Sequence, residues 1–488
     1  MKYIITILFM LSVILVMADG GAKVEGNSEI SPGKHELIGE EKLLKKEPLP
    51  EDESQITDDA DYIIWESEIH HLDHNFYIRN GEILKIMPGT QVIITGNFTI
   101  TVEPGGMIKA NGTFEQPVTF AVDYDNDLNF GESNRGTSLE YWQGFKFLAG
   151  GNKEDLSSFS WCNFPRINAD AGAGKGKTEP HNQKLFVVDG DCSLLFNNCQ
   201  FTENNFLEED FIYIKYSDIE FRNCIFKNNN SGLRLENSWL RLYNTTIANN
   251  EFFDLNLYRV DTIIDNCAFI DNQEFNLLIR QKHALTVMNS NFTNNSNTQK
   301  PLVSINSLKK ASFTNTRFTD NSDLAIECNN TELYLQRCQI NRHAGNPALY
   351  LNSKTGKKVT SFINCNFTGN QSEDDSICQL GSNIILILIN SIFMDNSVAE
   401  FNLINPSQNT TFYAFNSVIS QTHSIVNDHT RMKTQWNSII EPEKISDVHD
   451  YRLIDQGWQK YSSGDDVIFE YSPAQYIGSA PDIGYYEQ

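Results

Sequence analysis

The side chains best suited to binding a sugar lie in short runs in which polar and apolar residues alternate, such as "IYIKY" at 212–216 and "GLRLE" at 232–236. In an extended strand, residues two apart share one face, so the polar members of each run are predicted to point outward. A tyrosine ring offers a flat apolar surface, and arginine makes paired hydrogen bonds to a carboxylate. These runs predict a polysaccharide-binding strip of six residues: Tyr213, Lys215, Arg234, Tyr258, Arg280 and Tyr350.

Two members of this set are also candidate catalytic residues. A lyase acting on an acidic glycan needs a lysine or arginine base and a cation that neutralises the carboxylate of the substrate. Lys215 and Arg234, with the nearby "EED" segment at 208–210, are the residues that could take these roles. The alternative is that these strand positions are polar only because they face water, and the sequence leaves the question of an enzyme open.

The segment "DYDNDLNFGE" at 123–132 carries oxygen-bearing side chains at alternate positions: Asp123, Asp125, Asp127 and Asn129. Oxygen ligands at this spacing can surround Ca²⁺. The sixth position of the segment is Leu128, however, where an EF-hand loop needs glycine. A solvated acidic loop is the alternative interpretation, and Ca²⁺ is the one cofactor that the sequence suggests.

A repeated phrase must position these residues. "NCNFTGN" at 364–370 has near-copies beginning at 198, 223, 244, 266, 289, 315 and 390, and degenerate copies at 161, 337, 416 and 437. The residue in fourth place recurs at intervals of 21 to 37 residues, and a period in the twenties indicates a solenoid. The small second residue and the fourth, usually Phe, share a face in a strand but not in a helix. Each repeat therefore predicts about three short strands.

The sequence thus predicts an all-β protein, a single right-handed parallel β-helix of about twelve coils. The first Asn of each phrase is expected at a sharp bend, because Asn tolerates left-handed backbone angles. Its amide can hydrogen bond to the Asn of the next coil and so form a ladder. The second and fourth residues are expected to point inward as two stacks, and the last Asn to open the next turn.

Nine cysteines in an exported protein would first suggest disulfides. Six of them, however, occupy the second place of the phrase, where the other copies have Ser or Thr. A position that accepts Cys, Ser or Thr favours a small buried side chain over a crosslink, so these thiols are predicted to be unpaired. The six are Cys162, Cys199, Cys224, Cys267, Cys338 and Cys365.

The repeat resembles the right-handed parallel β-helix superfamily, the pectin-lyase-like fold. The block from 80 to 147 is similar to the opening module of secreted bacterial β-helix proteins, with "PGT" at 88, "ANGT" at 110, "PVTF" at 117 and "WQGFKF" at 142. The final "APDIGYYE" at 480 resembles the end of such modules. The resemblance implies that residues 62–488 adopt the right-handed parallel β-helix fold. It implies no single activity, because this fold carries lyases, hydrolases and adhesins alike.

The N-terminus reads "MKYIITILFMLSVILVMADGG", one lysine followed by an apolar run to Ala18. This pattern predicts a signal peptide at residues 1–18, too short for a membrane span, and hence a protein that is secreted or at the cell surface. The net charge of −25 argues against nucleic acid as a general partner. No transmembrane segment is predicted in the mature chain, which is expected to be a monomer.

The remaining chain divides by composition. Residues 19–60 are polar and are expected to form a flexible leader, 61–150 the N-terminal cap and first coil, 151–440 the β-helix and 441–488 the C-terminal cap, since an uncapped solenoid exposes unpaired strand edges. The sequence favours a secreted surface protein that binds carbohydrate or is structural. The alternatives are a polysaccharide lyase acting on an acidic glycan and an adhesin or spacer that binds protein.

Overall fold

The structure is a computed structural model, and it describes these residues: 61–66, 68–122, 142–154, 156–167, 184–206, 210–297, 300–373, 376–394, 396–397, 399–403, 410–415, 417–419, 432–436, 459–463 and 466–471. The predicted signal peptide, leader and Ca²⁺ segment lie outside these residues. Contacts along the chain separate two units, which we describe one at a time. The described residues of the larger unit fall within 61–311 and 316–327, and those of the smaller unit within 312–315 and 328–471.

Each coil contributes up to three strands, which we number in chain order and assign to three classes. First-class strands are β1 (Asp61–Trp65), β4 (Glu82–Ile86), β7 (Met107–Asn111), β10 (Leu156–Ser160), β13 (Ser193–Asn197), β16 (Asp218–Arg222), β19 (Trp239–Tyr243), β22 (Asp261–Asp265), β25 (Ala284–Met288), β28 (Lys310–Thr314), β31 (Glu332–Gln336), β34 (Lys358–Ile363), β37 (Ile384–Ile389), β40 (Thr411–Phe415) and β42 (Met432–Trp436). Second-class strands are β2 (Ile69–Leu72), β5 (Gln91–Ile94), β8 (Val118–Val122), β11 (Cys162–Pro165), β14 (Gln200–Thr202), β17 (Ile225–Lys227), β20 (Thr246–Ala248), β23 (Ala268–Ile270), β26 (Asn291–Thr293), β29 (Arg317–Thr319), β32 (Gln339–Asn341), β35 (Asn366–Thr368), β38 (Ile392–Met394) and β41 (Val418–Ile419). Third-class strands are β3 (Phe76–Ile78), β6 (Ile100–Val102), β9 (Phe145–Phe147), β12 (Phe186–Asp189), β15 (Asp210–Lys215), β18 (Gly232–Glu236), β21 (Phe252–Tyr258), β24 (Glu274–Arg280), β27 (Val303–Asn306), β30 (Ile326–Asn329), β33 (Leu349–Asn352), β36 (Ser376–Leu380) and β39 (Ala399–Leu403). A hairpin of β43 (Gln459–Ser463) and β44 (Asp466–Tyr471) stands apart from the classes.

Strands of one class pair in parallel from coil to coil. In the larger unit, β12, β15, β18, β21 and β24 pair in succession and belong to the third sheet. In the smaller unit, β31, β34, β37 and β40 pair in the same way in the first sheet. The predicted fold is confirmed: the protein is all-β, a right-handed parallel β-solenoid of about twelve turns built from three parallel sheets. The described part of the chain contains no helix that is long and apolar enough to cross a membrane.

The first Asn of the phrase lies at a left-handed corner, as predicted. Its φ is 55° at Asn198, 52° at Asn223 and 53° at Asn266, a region that Asn enters more readily than most residues. The side chains at these corners also form the expected ladder. Asn244 Nδ2 donates to Asn223 Oδ1 (3.1 Å), and Asn266 Nδ2 donates to Asn244 Oδ1 (2.7 Å).

The last Asn of the phrase turns its side chain into the interior and forms a second ladder. Asn250 donates from Nδ2 to Phe226 O (3.2 Å) and to Asn272 Oδ1 (2.8 Å), and its backbone N–H donates to the same Oδ1 (3.1 Å). The residue before it takes the left-handed corner, with φ 55° at Asn249. This buried ladder satisfies backbone groups that no strand pairs. Its members are Asn204, Asn229, Asn250, Asn272, Asn295 and Asn321 in the larger unit and Asn370 and Asn396 in the smaller unit.

The fourth place of the phrase fills the core, as predicted. In the larger unit, Phe201 stacks on Phe226 with ring centroids 4.6 Å apart and planes 5° from parallel. In the smaller unit, Phe367 stacks on Phe393 at 4.3 Å and 9°. Such pairs contribute about 0.5–1.5 kcal/mol beyond the area that they bury.

All nine cysteines are buried and none forms a disulfide, which confirms the prediction made for six of them. Cys199 Sγ donates to Phe159 O at 3.1 Å, and Cys365 Sγ to Leu335 O at 3.4 Å. In the copy with serine, Ser391 Oγ makes the equivalent bond to Phe362 O at 3.1 Å. The second place therefore accepts Cys, Ser or Thr because each is small and can donate a hydrogen bond inward.

Candidate functional site

Five of the six predicted site residues lie on the outer face of the third sheet in the larger unit. They are Tyr213 and Lys215 on β15, Arg234 on β18, Tyr258 on β21 and Arg280 on β24. Their neighbours along each strand, such as Leu233 and Leu235, are buried in the core, so the alternation of the strand directs the polar residues outward. We call the outward residues of β12, β15, β18, β21 and β24 the third-sheet strip.

The strand register arranges the strip into columns. One column contains Tyr213, Arg234 and Asn256 at successive paired positions. The other contains Lys215, Glu236, Tyr258 and Arg280. Paired residues on neighbouring strands stand about 4.8 Å apart. The first column therefore presents a polar or aromatic side chain on three successive strands, between Val187 and Leu278, and the second column does so on four, at an interval close to the length of a sugar unit.

Arg234 is held by an acidic neighbour on its own strand. Its Nε and Nη2 donate to Glu236 Oε1 at 3.0 and 2.7 Å, and its Cζ lies 5.7 Å from the centre of the Tyr213 ring. Burial lowers the pKa of Arg234, but the hydrogen bonds and the charge of Glu236 outweigh burial, so the pKa is raised. Burial, and after it the charge of Glu236, also raises the pKa of Tyr213. Both side chains therefore keep their ordinary protonation at neutral pH.

The far end of the strip is held by neutral partners instead. Arg280 Nη2 donates to Asn256 Oδ1 at 2.8 Å, and the Tyr258 hydroxyl donates to Gln281 Oε1 at 3.0 Å. The guanidinium of Arg259 lies 5.2 Å from the centre of the Tyr258 ring. These contacts fix the orientation of one arginine and one aromatic ring at the surface before any ligand arrives.

Two ion pairs border the strip, and sequence reasoning missed most of their members. Lys184 Nζ lies 2.7 Å from Asp210 Oδ2, and Lys300 Nζ lies 3.1 Å from Asp254 Oδ2. The strand between the two aspartates contributes Gly232 at this position, and it has no side chain to separate them. The alternation of polar and apolar residues in "FFDLNLY" at 252–258 could have identified Asp254 as an outward residue. Its partner lysine is 46 residues away in sequence, and only the fold brings it near.

Lys215, the other candidate base, lies between acidic neighbours in its column. It pairs in register with Asp189 on one side and Glu236 on the other, and its Nζ lies 5.2 Å from the centre of the Tyr216 ring. Of the "EED" segment, the structure describes only Asp210, which binds Lys184 rather than Lys215.

Tyr350 belongs to the smaller unit, where it lies on β33 beside Gln379 of β36. It is half-buried and is not assigned to the strip, whose other members lie in the larger unit. The candidate Ca²⁺ ligands Asp123, Asp125, Asp127 and Asn129 fall outside the described residues. Within the part of the chain that the structure describes, no group of three His, Cys, Asp or Glu residues is arranged to hold a metal ion.

The match to one family of known proteins agrees with the fold. The family described as "Right handed beta helix region" matches residues 179–304, which contain the whole third-sheet strip. A search of curated proteins finds no match. Among solved structures, the periplasmic alginate epimerase AlgG is similar at 8% identity and a TM-score of 0.28, over 70% of this chain and 76% of the epimerase. The tailspike protein gp49 of Acinetobacter baumannii bacteriophage Fri1, a capsular polysaccharide depolymerase, is similar at 11% identity and a TM-score of 0.20, over 75% of this chain and 66% of the tailspike.

Proposed function

We propose that this right-handed parallel β-helix protein is exported and binds a polysaccharide along the third-sheet strip of its larger unit. The observation that carries the proposal is the pair of in-register columns, in which tyrosine, arginine and amide side chains recur once per coil. A linear glycan laid across the coils would meet a new side chain at about each sugar unit. The signal-peptide pattern at residues 1–18 supports export, and export would give the strip access to extracellular glycans.

The contacts within the strip indicate which groups of the glycan each side chain would bind. Tyr213 and Tyr258 would pack against sugar rings. Glu236 and Asn256 offer oxygen acceptors for hydroxyl groups. A glycan carboxylate would go first to Arg280, because its described partner is the neutral Asn256, whereas Arg234 already faces the carboxylate of Glu236. The strip therefore suits an acidic polysaccharide whose hydroxyls and carboxylates are both recognised.

Binding of the full chain to an array of polysaccharides tests the proposal. We expect an acidic glycan to bind, and the double substitution Arg234→Ala/Arg280→Ala to weaken its affinity by at least about tenfold, since a hydrogen bond to a charged group contributes about 1.5–3 kcal/mol. The matched control is Lys227→Ala/Arg317→Ala, which removes the same charge from exposed positions on β17 and β29 of the second sheet.

Equal weakening by both double variants would mean that net charge attracts the glycan and that the strip does not bind it. Unchanged binding by the strip variant would place the site elsewhere. If the parent protein binds no polysaccharide, the proposal is wrong, and an adhesin or spacer that binds protein becomes the better interpretation. Circular dichroism and melting temperature would show that each variant remains folded.

A lyase acting on the same glycan is a second candidate function, and one observation bears on its chemistry. The raised pKa of Arg234 makes this residue unsuitable as a base, which leaves Lys215 as the candidate base from the pair. Incubation of the bound glycan with the protein, followed by absorbance of unsaturated uronates, tests for elimination. If elimination occurs, Lys215→Ala should abolish it while glycan binding persists.

A further inference from the structure

The outer face of the first sheet in the larger unit contains a buried group of charges. Glu220 on β16 and Arg241 on β19 are paired in register, and both lie between inward-facing residues of their strands, so both side chains leave the sheet on its outer face. Outward side chains on a solenoid normally face water. Here both are 0% exposed, so these two charges are shielded from solvent although they point away from the core.

The carboxylate of Glu220 contacts two arginines. Glu220 receives Arg222 Nε in a short contact and lies 3.6 Å from Arg241 Nη1. Arg222 is 12% exposed, so two nearly dehydrated guanidinium groups face a single carboxylate. The next acid on β16, Asp218, is paired with Lys153 at 3.4 Å. Glu220 is therefore shared by two arginines.

Two further acids lie close along the sheet, but each forms a hydrogen bond with a residue other than Arg241. Asp265 lies on the next strand of the sheet, in register with Tyr243, which is two residues after Arg241 on β19. Its Oδ1 accepts a hydrogen bond from Asn289. Asp261 accepts from His283 at 2.9 Å. In register with Arg241 itself, the next strand supplies Ile263, which is buried and offers no acceptor.

The donors of Arg241 are also unsatisfied. Its Nε, Nη1 and Nη2 have no hydrogen-bond partner among the described residues. A guanidinium has five N–H donors in a planar fork, and a buried donor without a partner is costly. Buried polar groups in folded proteins are nearly always paired with protein, water or an ion. Arg241 is thus a charged, fully buried fork whose nitrogens make no hydrogen bond among the described residues and whose nearest carboxylate oxygen lies 3.6 Å away, which suits it to bind a hydrogen-bond acceptor.

The surroundings of the fork restrict what that component can be. The Trp239 ring centre lies 5.7 Å from Arg241 Cζ. Tyr243 is half-buried on the other side, and burial, followed by the charge of Glu220, raises its pKa. The phenol is thus a neutral O–H that can donate. Two aromatic side chains, an apolar residue and a guanidinium that makes no hydrogen bond among the described residues favour a small anion with planar or clustered oxygen atoms.

We propose that Arg241, flanked by Trp239 and Tyr243, binds a small oxyanion or a carboxylate on the outer face of the first sheet. The anion would accept hydrogen bonds from the Arg241 nitrogens, which have no such partner among the described residues. This site is on a different sheet from the third-sheet strip, and nothing in the proposed polysaccharide binding depends on it.

Thermal unfolding of the full chain tests this site, with sodium acetate and sodium sulfate as probes and sodium chloride at matched ionic strength as the reference. We expect at least one of the two oxyanions to raise the melting temperature of the parent protein saturably above the chloride reference. Arg241→Leu should remove the saturable increase. Arg317→Leu, which removes an arginine from an exposed position of the second sheet, is the control and should keep it.

Two further variants sharpen the test. Glu220→Gln removes the competing carboxylate and should lower the concentration of anion needed for half of the effect. Arg241→Lys keeps the charge but lacks the fork, so the anion concentration needed for half of the effect should rise about tenfold. This variant also tests the site if Arg241→Leu does not fold.

The proposal is overturned if the parent shows no increase beyond chloride with either probe. It is also overturned if Arg241→Leu shows the same saturable increase in melting temperature. If Arg241→Leu does not fold, the proposal is overturned when Arg241→Lys reaches half of the increase at the same anion concentration as the parent.

Discussion

At the scale of single residues, His343 occupies the place that a buried Asn holds in most copies of the repeated phrase. Its backbone N–H donates to Asn370 Oδ1 at 3.0 Å, as the N–H of Asn250 does to Asn272 in the larger unit. The imidazole is buried, and neither ring nitrogen has a hydrogen-bond partner among the described residues. Burial lowers the pKa of His343 from 6.5 to about 3, since a charged ring would be dehydrated without compensation.

This shift predicts a pH-dependent loss of stability. Because the pKa is lower in the folded state, the unfolded state takes up the proton first as pH falls below 6.5, and the free energy of unfolding drops until the pH approaches 3. By pH 4.5 the loss from this residue should be about 3 kcal/mol. His343→Asn restores the residue of the ladder and should not titrate. The measurement is urea unfolding of both proteins from pH 7.5 to 4.5.

Other titrating groups are shared by the two proteins, so only the difference between their curves reports on His343. That difference should move in favour of the variant as pH falls. Parallel curves across the range would show that the imidazole is hydrated or paired in the folded protein.

At the scale of strands and coils, the repeated phrase made the fold predictable because every coil places the same residue types in the same surroundings. The spacing of the small residue and Phe identified strands, and the Asn at the corner identified the bend. The buried ladder, in which Asn250 donates to Asn272, was missed. A polar residue beside a turn looks like a surface residue in the sequence, and only stacked coils supply buried partners for it.

The candidate sites were less predictable, for a related reason. Alternation correctly directed Arg234 outward, but its ion pair with Glu236 and its contact with Tyr213 depend on side-chain packing and on the register between coils. The same alternation places Arg241 outward and would predict that it is exposed, whereas it is fully buried. Period alone gives the face on which a residue lies. It does not give what covers that face.

Gly232 provides a prediction at this scale, because β18 and β21 approach too closely there for a side chain. A Cβ on Gly232 would come within 2.0 Å of Asp254 O and 2.6 Å of Asp254 N. Gly232→Ala should therefore force the two strands apart and destabilise the protein by about 1–3 kcal/mol. The shift should also disturb the Asp254–Lys300 ion pair at the border of the strip. Chemical unfolding of the variant measures the loss.

The control for this substitution is Asp189→Ala, at an exposed outward position of the same sheet, which should change stability by no more than about 0.5 kcal/mol. If Gly232→Ala is as stable as the control, the strands can separate without cost and the close approach does not constrain the strip.

At the scale of the whole molecule, the interior of both units combines stacked aromatic rings with free thiols, in a protein whose N-terminus predicts export. Oxidising conditions outside the cell would favour disulfides, yet none of the nine cysteines forms one. Neighbouring thiols of one stack, such as Cys162 and Cys199, each donate to backbone carbonyls instead. We infer that protection comes from the packing of the coils, which buries the thiols and excludes oxidants.

The pKa values of four thiols support this account, since only the thiolate reacts readily, whereas at Cys199 burial is outweighed by hydrogen bonds with the neighbouring Cys162 and Cys224, which lower the pKa. Burial raises the pKa of Cys267 to about 12 and raises those of Cys162, Cys224 and Cys365. We expect iodoacetamide to label no cysteine in the folded protein and all nine after unfolding in guanidinium chloride without reductant, as counted by intact mass. Prior treatment with reductant is the control and should leave both counts unchanged. Fewer than nine labels in the unreduced, unfolded protein would reveal a native disulfide. Labels on the folded protein would show that the coils open on the timescale of the reaction, and packing alone would then not protect the thiols.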